Sequence, residues 1–226
     1  MRVVGPSSEE EMVLAFLQAE VYSPRFREFA RAALGDMSLV YNPRLDDAVQ
    51  NTRRRQALQD YRGFGRNEAL FRGFPEHAAT WERMSLTRED LGGLRYANAP
   101  EWVLLSRGSR LVSDGAKHVG QGAVPSSAEI VAIATAVGWP AKELDTPTWR
   151  NKVREASDSI ATVQRDLGTG RTYAPVIIFA ESRDAQHIVA EGHTRATAYF
   201  LHLGTEGSDA LEAIVGYAPL GAWIYR

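Results

Sequence analysis

Apolar residues recur at helical spacing through most of the first hundred residues. Ser8 and Glu11 form a capping-box pair ahead of the apolar run MVLAFLQAEV, which predicts a helix from about Glu9 to the residue before Ser23. The same pattern predicts two further helices, over 24–34 and 45–62, each closed by glycine. Residues 1–95 are therefore predicted to form a mainly helical N-terminal region.

The pattern changes after Pro100, where short apolar runs alternate with helical segments. Trp102–Leu105 predicts a strand, and helices are predicted over 126–137 and 147–167. Toward the C-terminus the chain predicts, in order, the strand APVIIFAES, the strand HIVAE, the helix TRATAYFLHL and the strand EAIVGYA. We therefore expect an α+β protein in which residues 96–226 form a small mixed sheet with helices.

The composition is that of an ordinary globular protein. Of 226 residues, 44% are hydrophobic and 24% are charged, and the net charge of −2 argues against a surface that binds nucleic acid over its whole extent. The absence of cysteine excludes disulfides, zinc-thiolate sites and thiol catalysis, and the five histidines lack the HExxH spacing of a zinc site. No apolar run has the length of a membrane span, so we expect a cytoplasmic protein without a membrane partner.

The stretch IVAEGHTRATAYFLH, residues 188–202, combines a predicted strand, a glycine and the start of a predicted helix. Gly192 allows close approach to the backbone, and the free N–H groups and dipole of a helix start favour an anion. The guanidinium of Arg195 suits phosphate oxygens. A purely structural alternative stays open, in which Gly192 makes a tight turn and Arg195 pairs with Glu191 on the surface.

The segment from APVIIFAES through HIVAEGHTRATAYF and the following strand resembles the ParB/sulfiredoxin-like superfamily. Members carry a strand ending in an acid and glycine, then a motif such as (D/E)GxHR or GERRxxA that leads into a helix. They include a CTP-dependent DNA clamp, an ATP-dependent sulfinic-acid reductase and free-serine kinases. The resemblance covers roughly residues 100–226, and its specific part is residues 175–200.

The resemblance implies that nucleotide phosphate binds at this turn. Gly192 matches the family glycine, Arg195 the phosphate-binding arginine and Glu191 the acid before the glycine. Many relatives have histidine at the position of Thr194, whereas here the histidine lies one place earlier, at His193. His193 also occupies the position of the catalytic cysteine of the sulfinic-acid reductase, so that activity is excluded.

Three further groups of residues are candidates for the site. Arg107 and Arg110 lie in the polar loop SRGSR, whose composition favours a solvated loop; if the family placement holds, they would contact the nucleotide, Arg110 in first place. Asn51 and Arg55 share an apolar helix stripe, where they would bind a substrate's carboxylate or phosphate or form internal pairs. Glu20, on the apolar first helix, is a candidate base.

We therefore expect a nucleotide-dependent phosphotransferase similar to the free-serine kinases. Nucleoside di- or triphosphate, ATP in first place, would bind through residues 192–195, and Glu191 would bind Mg²⁺ or act as general base, with His193 as a second catalytic candidate. One alternative is a DNA-associated protein or nuclease that binds nucleic acid through Arg53, Arg54 and Arg55, in a stretch of local charge +4. Another is a degenerate member that binds a metabolite or protein without catalysis.

Overall fold

A computed structural model describes residues 1–74, 80–140, 145–203 and 211–226 of the chain. The helices in these ranges are α1 (Glu9–Tyr22), α2 (Arg27–Leu34), α3 (Ser38–Tyr41), α4 (Ala48–Arg62), α5 (Arg88–Gly93), α6 (Pro100–Leu105), α7 (Val112–Gly120), α8 (Ser127–Ala136), α9 (Thr146–Gly168) and α10 (His193–His202). The strands are β1 (Arg2–Pro6), β2 (Thr80–Leu86), β3 (Arg95–Tyr96), β4 (Val176–Ala180), β5 (Ile188–Glu191) and β6 (Leu211–Tyr217). The α+β class predicted from the sequence is confirmed.

The chain is organised as two compact units, each assembled from separated stretches. The first consists of Met1–Ser85, Tyr173–Gly192 and Glu212–Arg226, and the second of Leu86–Thr172 and His193–Leu211. A single boundary near residue 95 does not describe this arrangement, because strands from the C-terminal third belong with the N-terminal helices.

The first unit contains a mixed sheet with strand order β1-β2-β6-β4-β5. Strand β4 pairs parallel with β6 and antiparallel with β5, and Ile177 lies opposite both Ile214 and Glu191. All five residues of β4 are buried, as the continuous apolar run VIIFA requires of a central strand covered on both faces. Helix α1 packs near β4 and against α4, which brings the N-terminal helices onto the sheet.

The pair β1 and β2 is absent from the sequence prediction of a helical N-terminal region. Strand β1 is an exposed edge strand that contains Gly5 and Pro6, and β2 carries Glu82 and Arg83 in its middle. Both features hide the alternation of apolar and polar positions that identifies a strand. The two strands pair antiparallel, with an irregularity between Val3 and Gly5.

The prediction of a strand at Trp102–Leu105 is wrong, because these residues lie in helix α6 of the second unit. Val103, Leu104 and Leu105 are all fully buried. A short apolar run buried on every side does not distinguish a strand from a helix, and Pro100 at the first helical position favours the helix. The loop SRGSR consequently follows a helix.

The second unit is mainly helical, with α9 packed against α10, α6 and α8. Val153, Ile160 and Leu167 of α9 are buried, which confirms the helical stripe predicted for 147–167. Helix α7 is absent from the prediction because Gly115 interrupts its pattern. A Cβ atom at Gly115 would lie 2.4 Å from the hydroxyl of Tyr96, so this helix position admits only glycine.

Candidate functional site

The predicted turn from strand to helix is present. Strand β5 ends at Glu191, Gly192 is buried with φ +93°, and α10 begins at His193. A positive φ of this size is disfavoured for residues with a Cβ, which explains the glycine. Glu191 and Gly192 belong to the first unit, and residues 193–211 belong to the second.

In the first unit, four side chains form what we call the Glu20 cluster: Glu20, Tyr61, Arg62 and Glu191. Glu20 is only 3% exposed. Its carboxylate accepts a hydrogen bond from the Tyr61 hydroxyl at 3.2 Å and an ion-paired hydrogen bond from Nη2 of Arg62. Burial of a carboxylate is tolerated when donors of this kind satisfy its oxygens.

Glu191 acts on the same tyrosine. Burial raises the pKa of the Tyr61 hydroxyl, and the negative charges of Glu20 and Glu191 raise this pKa further. The acid at the end of β5 and the buried acid of α1 therefore both influence one phenol.

Arg62 is held in place by aromatic rings. Its guanidinium carbon lies 4.4 Å from the centroid of Phe26 and 4.3 Å from that of Tyr61. The Nε atom of Arg62 is buried, and among the described residues it has no hydrogen-bond partner. The cluster thus combines a carboxylate, a neutral hydroxyl and a guanidinium.

Asn51 and Arg55, the predicted substrate-binding pair, lie on α4 and have protein partners. The Asn51 side-chain amide donates to the backbone oxygen of Leu45 at 2.7 Å, and its oxygen accepts from Arg54. Arg55 forms an ion pair with Glu9 and lies over the ring of Phe64. The internal-pair interpretation therefore describes both residues.

The basic stretch from Arg53 to Arg72 is largely neutralised. Four of its six arginines pair with carboxylates, namely Arg53 with Asp36, Arg55 with Glu9, Arg62 with Glu20 and Arg66 with Asp60. Arg54 is fully buried, and burial lowers its pKa while the charge of Asp47 partly offsets this effect. These arginines offer little uncompensated charge to a nucleic acid.

In the second unit, the ring of His193 is part of an aromatic stack. It lies parallel to the Trp102 ring, at 4.9 Å between centroids and 9° between planes. Its Nε2 atom accepts a hydrogen bond from the backbone N–H of Ala97 at 3.2 Å. The ring is thus engaged by protein groups, and the group of His193 that suits an anion is its backbone N–H.

Thr194 and Arg195 follow in the first turn of α10. Thr194 is half-buried, whereas Arg195 is only 6% exposed. A guanidinium buried to this degree requires oxygen acceptors, from the protein or from a ligand.

Arg107 and Arg110 lie in the loop that ends α6, and both have positive φ, 54° and 63°. The Nε and Nη2 atoms of Arg110 donate to the backbone oxygen of Tyr96 at 2.9 and 2.7 Å. Burial, together with the charge of Arg95, lowers the pKa of Arg110 to about 10, which leaves it protonated at neutral pH. Arg107 donates to the oxygen of Leu104 at 3.3 Å.

The sequence prediction missed Tyr61 and Arg62 as members of a site. Their spacing from Ala57 and Leu58, which are buried on α4, gave no signal of a functional role. The available clue was Glu20, an acid on an otherwise apolar helix, because a buried carboxylate needs donors from elsewhere in the chain. Which donors it finds depends on the packing of α4 against α1.

Two absences apply to the described part of the chain. In residues 1–74, 80–140, 145–203 and 211–226 no group of three or more histidine, aspartate or glutamate side chains is arranged to hold a metal ion. In the same ranges no helix has both the length and the apolarity needed to cross a bilayer. His77 lies outside the described residues.

Comparisons with known proteins found no protein similar to this chain. No family model, no curated protein and no solved structure matches it.

Proposed function

We propose that the protein binds a nucleoside triphosphate, ATP in first place, and transfers a phosphoryl group to a small hydroxyl-bearing molecule. The proposal joins the sequence resemblance to ParB/sulfiredoxin-like kinases with the chemistry of the Glu20 cluster. The observation that carries it is that the buried carboxylate of Glu20 accepts from the Tyr61 hydroxyl and from Arg62, in the unit that also contains Glu191, the last residue of β5. Two acids and a guanidinium suit proton transfer and the neutralisation of charge on a phosphate.

The residues would divide the work by their chemistry. The backbone N–H groups of His193 and Thr194, with the guanidinium of Arg195, would bind phosphate oxygens. Glu191 would take the proton of the acceptor hydroxyl, whose oxygen then attacks the γ-phosphorus while the bond to the bridging oxygen breaks, leaving a nucleoside diphosphate. Arg62, whose side chain is partly exposed, would neutralise charge on the transferred group.

The protein would supply only part of the coordination shell of Mg²⁺. The ion usually takes one or two protein carboxylates and completes its shell with phosphate oxygens and water, so three clustered acids are not required. Glu191 would hold the ion as the alternative to its role as general base, because Glu20 already accepts from Tyr61 and Arg62. Bound there, the ion would draw charge from the phosphate oxygens.

The alternative of a DNA-associated protein receives less support. The ion pairs of Arg53, Arg55, Arg62 and Arg66 leave the proposed nucleic-acid stretch close to neutral. A non-catalytic member of the superfamily would lack nucleotide-dependent turnover, and the experiment below separates that alternative from the proposal.

The test is a thermal-shift panel with ATP, ADP, CTP and GTP, with and without Mg²⁺. A nucleotide that binds only the native state must raise the midpoint temperature, by several degrees at a hundred times its Kd. We expect this rise for the wild type and for the exposed control Arg154→Ala, and its loss in Arg195→Ala, each measured against its own ligand-free midpoint. If no nucleotide shifts the wild type, the proposal is overturned.

A separate variant tests the catalytic step. Glu191→Gln keeps the shape of the side chain and removes the base, so nucleotide binding should persist while turnover of ATP falls about 10²-fold or more. The proton-transfer role is rejected if Glu191→Gln turns over ATP at the wild-type rate. Binding without any turnover in the wild type would identify a non-catalytic member.

A further inference from the structure

Tyr22 and Tyr41 form an exposed aromatic pair in the first unit. Tyr22 is the last residue of α1, and Tyr41 is the last residue of α3. Their ring centroids are 6.0 Å apart, with 48° between the ring planes. The two residues are 53% and 45% exposed. Two phenols that solvent reaches therefore lie side by side on the surface of this unit.

This pair is distinguished from the other tyrosines by its exposure. The chain has eight tyrosines, and all eight lie in the described ranges. Six of them are buried or partly buried, namely Tyr61, Tyr96, Tyr173, Tyr199, Tyr217 and Tyr225. The two tyrosines that a reagent from solution reaches most easily are thus neighbours of one another.

The fold holds the two backbones together and leaves the two rings mobile. Gln18, one turn before Tyr22 on α1, donates from Nε2 to the backbone oxygen of Val40 at 3.1 Å. Leu39 and Val40, the two residues before Tyr41, are buried. Exposed side chains change rotamer on the picosecond-to-nanosecond timescale, so the two rings explore closer approaches than their mean separation.

Two adjacent exposed phenols can be joined by oxidation. The chain has no cysteine, so an oxidant meets no thiol, which is the usual first target in a protein. A one-electron oxidant removes one electron and one proton from a phenol and leaves a phenoxyl radical. Two such radicals in contact couple through the ring carbons next to the hydroxyl groups.

We propose that Tyr22 and Tyr41 are a site of oxidative modification, at which a haem peroxidase and hydrogen peroxide form a dityrosine bond between α1 and α3. Each phenol gives one electron and one proton to the peroxide, which is reduced to two water molecules. A carbon–carbon bond forms between the rings, and proton transfer from the two coupled carbons to the two oxygens restores both hydroxyl groups. The site uses none of the residues assigned to the nucleotide.

The bond would act as a staple in the first unit. It closes a loop of about twenty residues that contains α2, and a cross-link of this length lowers the conformational entropy of the unfolded chain. The thermal midpoint of the protein should therefore rise by roughly 5 °C or more once the bond has formed.

The experiment treats the full-length protein, at low micromolar concentration, with a haem peroxidase and an equimolar amount of hydrogen peroxide. Dityrosine is detected by its blue fluorescence and located by mass spectrometry of tryptic peptides. Cleavage after arginine places Tyr22 in residues 3–25 and Tyr41 in residues 32–44, so the bond joins two separate peptides. We expect this peptide pair, lighter by two hydrogen atoms than the sum of its members, as the main cross-linked product.

Two variants and a matched control locate the reaction. Tyr22→Phe and Tyr41→Phe keep the ring and remove the oxidisable hydroxyl, so each should lower the dityrosine yield at least 10-fold and lose the rise in thermal midpoint. Tyr225→Phe removes a hydroxyl from a partly buried position and should give the wild-type yield. Because peroxide treats other side chains alike in all four proteins, the difference reports the tyrosine pair.

Three outcomes overturn the inference. The first is the absence of the joined peptides 3–25 and 32–44 from the treated wild type. The second is a wild-type yield of dityrosine in Tyr22→Phe, which would place the bond elsewhere. The third is a product that consists mainly of covalent dimers on a denaturing gel, which would show coupling between molecules. None of these results bears on nucleotide binding, which Arg195→Ala tests separately.

Discussion

The hydroxyl of Tyr61 donates a hydrogen bond to the buried carboxylate of Glu20, 3.2 Å away and 41 positions earlier in the chain. The contact joins the last turns of α1 and α4 and places a neutral phenol beside a charged acid. It exists because a carboxylate that is 3% exposed must find donors within the fold.

The Glu20 contacts should behave as a coupled unit in a double-mutant cycle. Glu20→Gln leaves Arg62 without its carboxylate partner and should lower the free energy of unfolding by about 1–3 kcal/mol. Tyr61→Phe alone should cost about 1 kcal/mol, and the double variant less than the sum of the two. Urea denaturation measures all three, and strict additivity would show that Tyr61 and Glu20 do not interact.

Stability should fall in alkaline solution through Tyr217. Burial, followed by the charge of Glu82, raises the pKa of Tyr217 from 10.0 to about 12. The folded chain therefore holds this proton more tightly than the unfolded chain, so the stabilisation is complete below pH 10 and is lost as pH rises toward 12. Tyr217→Phe should show a shallower decline than the wild type over pH 10–12.

The comparison is made by urea denaturation at several pH values. Because Arg110 and the other tyrosines titrate alike in both proteins, the difference between the two curves reports Tyr217 alone. Parallel curves over this range would contradict the assignment.

Two glycines of α7 should respond oppositely to alanine. At Gly115 a Cβ would lie 2.4 Å from the Tyr96 hydroxyl and 2.8 Å from its ring, so Gly115→Ala should destabilise the protein by about 2 kcal/mol or more. At Gly120 the nearest atom to a Cβ is 3.9 Å away, in Leu201, and Gly120→Ala should be neutral or stabilise by up to about 1 kcal/mol. Thermal unfolding of both variants tests this pair, and equal effects would argue against the close packing of α7 on Tyr96.

The imidazole of His193 should occur as one tautomer. Since Nε2 accepts the N–H of Ala97 at 3.2 Å, the proton of the neutral ring belongs on Nδ1. Long-range ¹H–¹⁵N NMR spectra at neutral pH distinguish the two ring nitrogens directly. A protonated Nε2 would disprove the hydrogen bond and return the His193 ring to the list of groups available to a ligand.

Most helices were predictable because their signals are local. The capping pair of Ser8 and Glu11 marks the start of α1 at Glu9, and the stripe of Val153, Ile160 and Leu167 marks α9, whatever the rest of the chain does. The turn at Gly192 was equally predictable, because a glycine between a β-rich run and a helical run is typical of a tight turn. At these positions, interactions between neighbouring residues in the sequence favour the observed backbone conformation.

The remaining elements depend on contacts between distant residues. Residues 103–105 are buried on every side, so their apolar run does not by itself distinguish a helix from a strand. Helix α7 tolerates Gly115 because Tyr96 occupies the space of its side chain. The strands β1 and β2 form by pairing with one another, which overrides their weak individual propensities.

The sequence by itself determined the α+β class, the bounds of the longer helices and the strand-to-helix turn that carries Gly192 and Arg195. The tertiary structure decided which polar residues meet. Packing of α4 on α1 places Tyr61 and Arg62 against Glu20. The same packing pairs Arg55 with Glu9, whereas the sequence had also suggested Arg55 as a substrate-binding residue. The reason is physical: local periodicity fixes backbone geometry, whereas the partner of a buried charge is set by the whole fold.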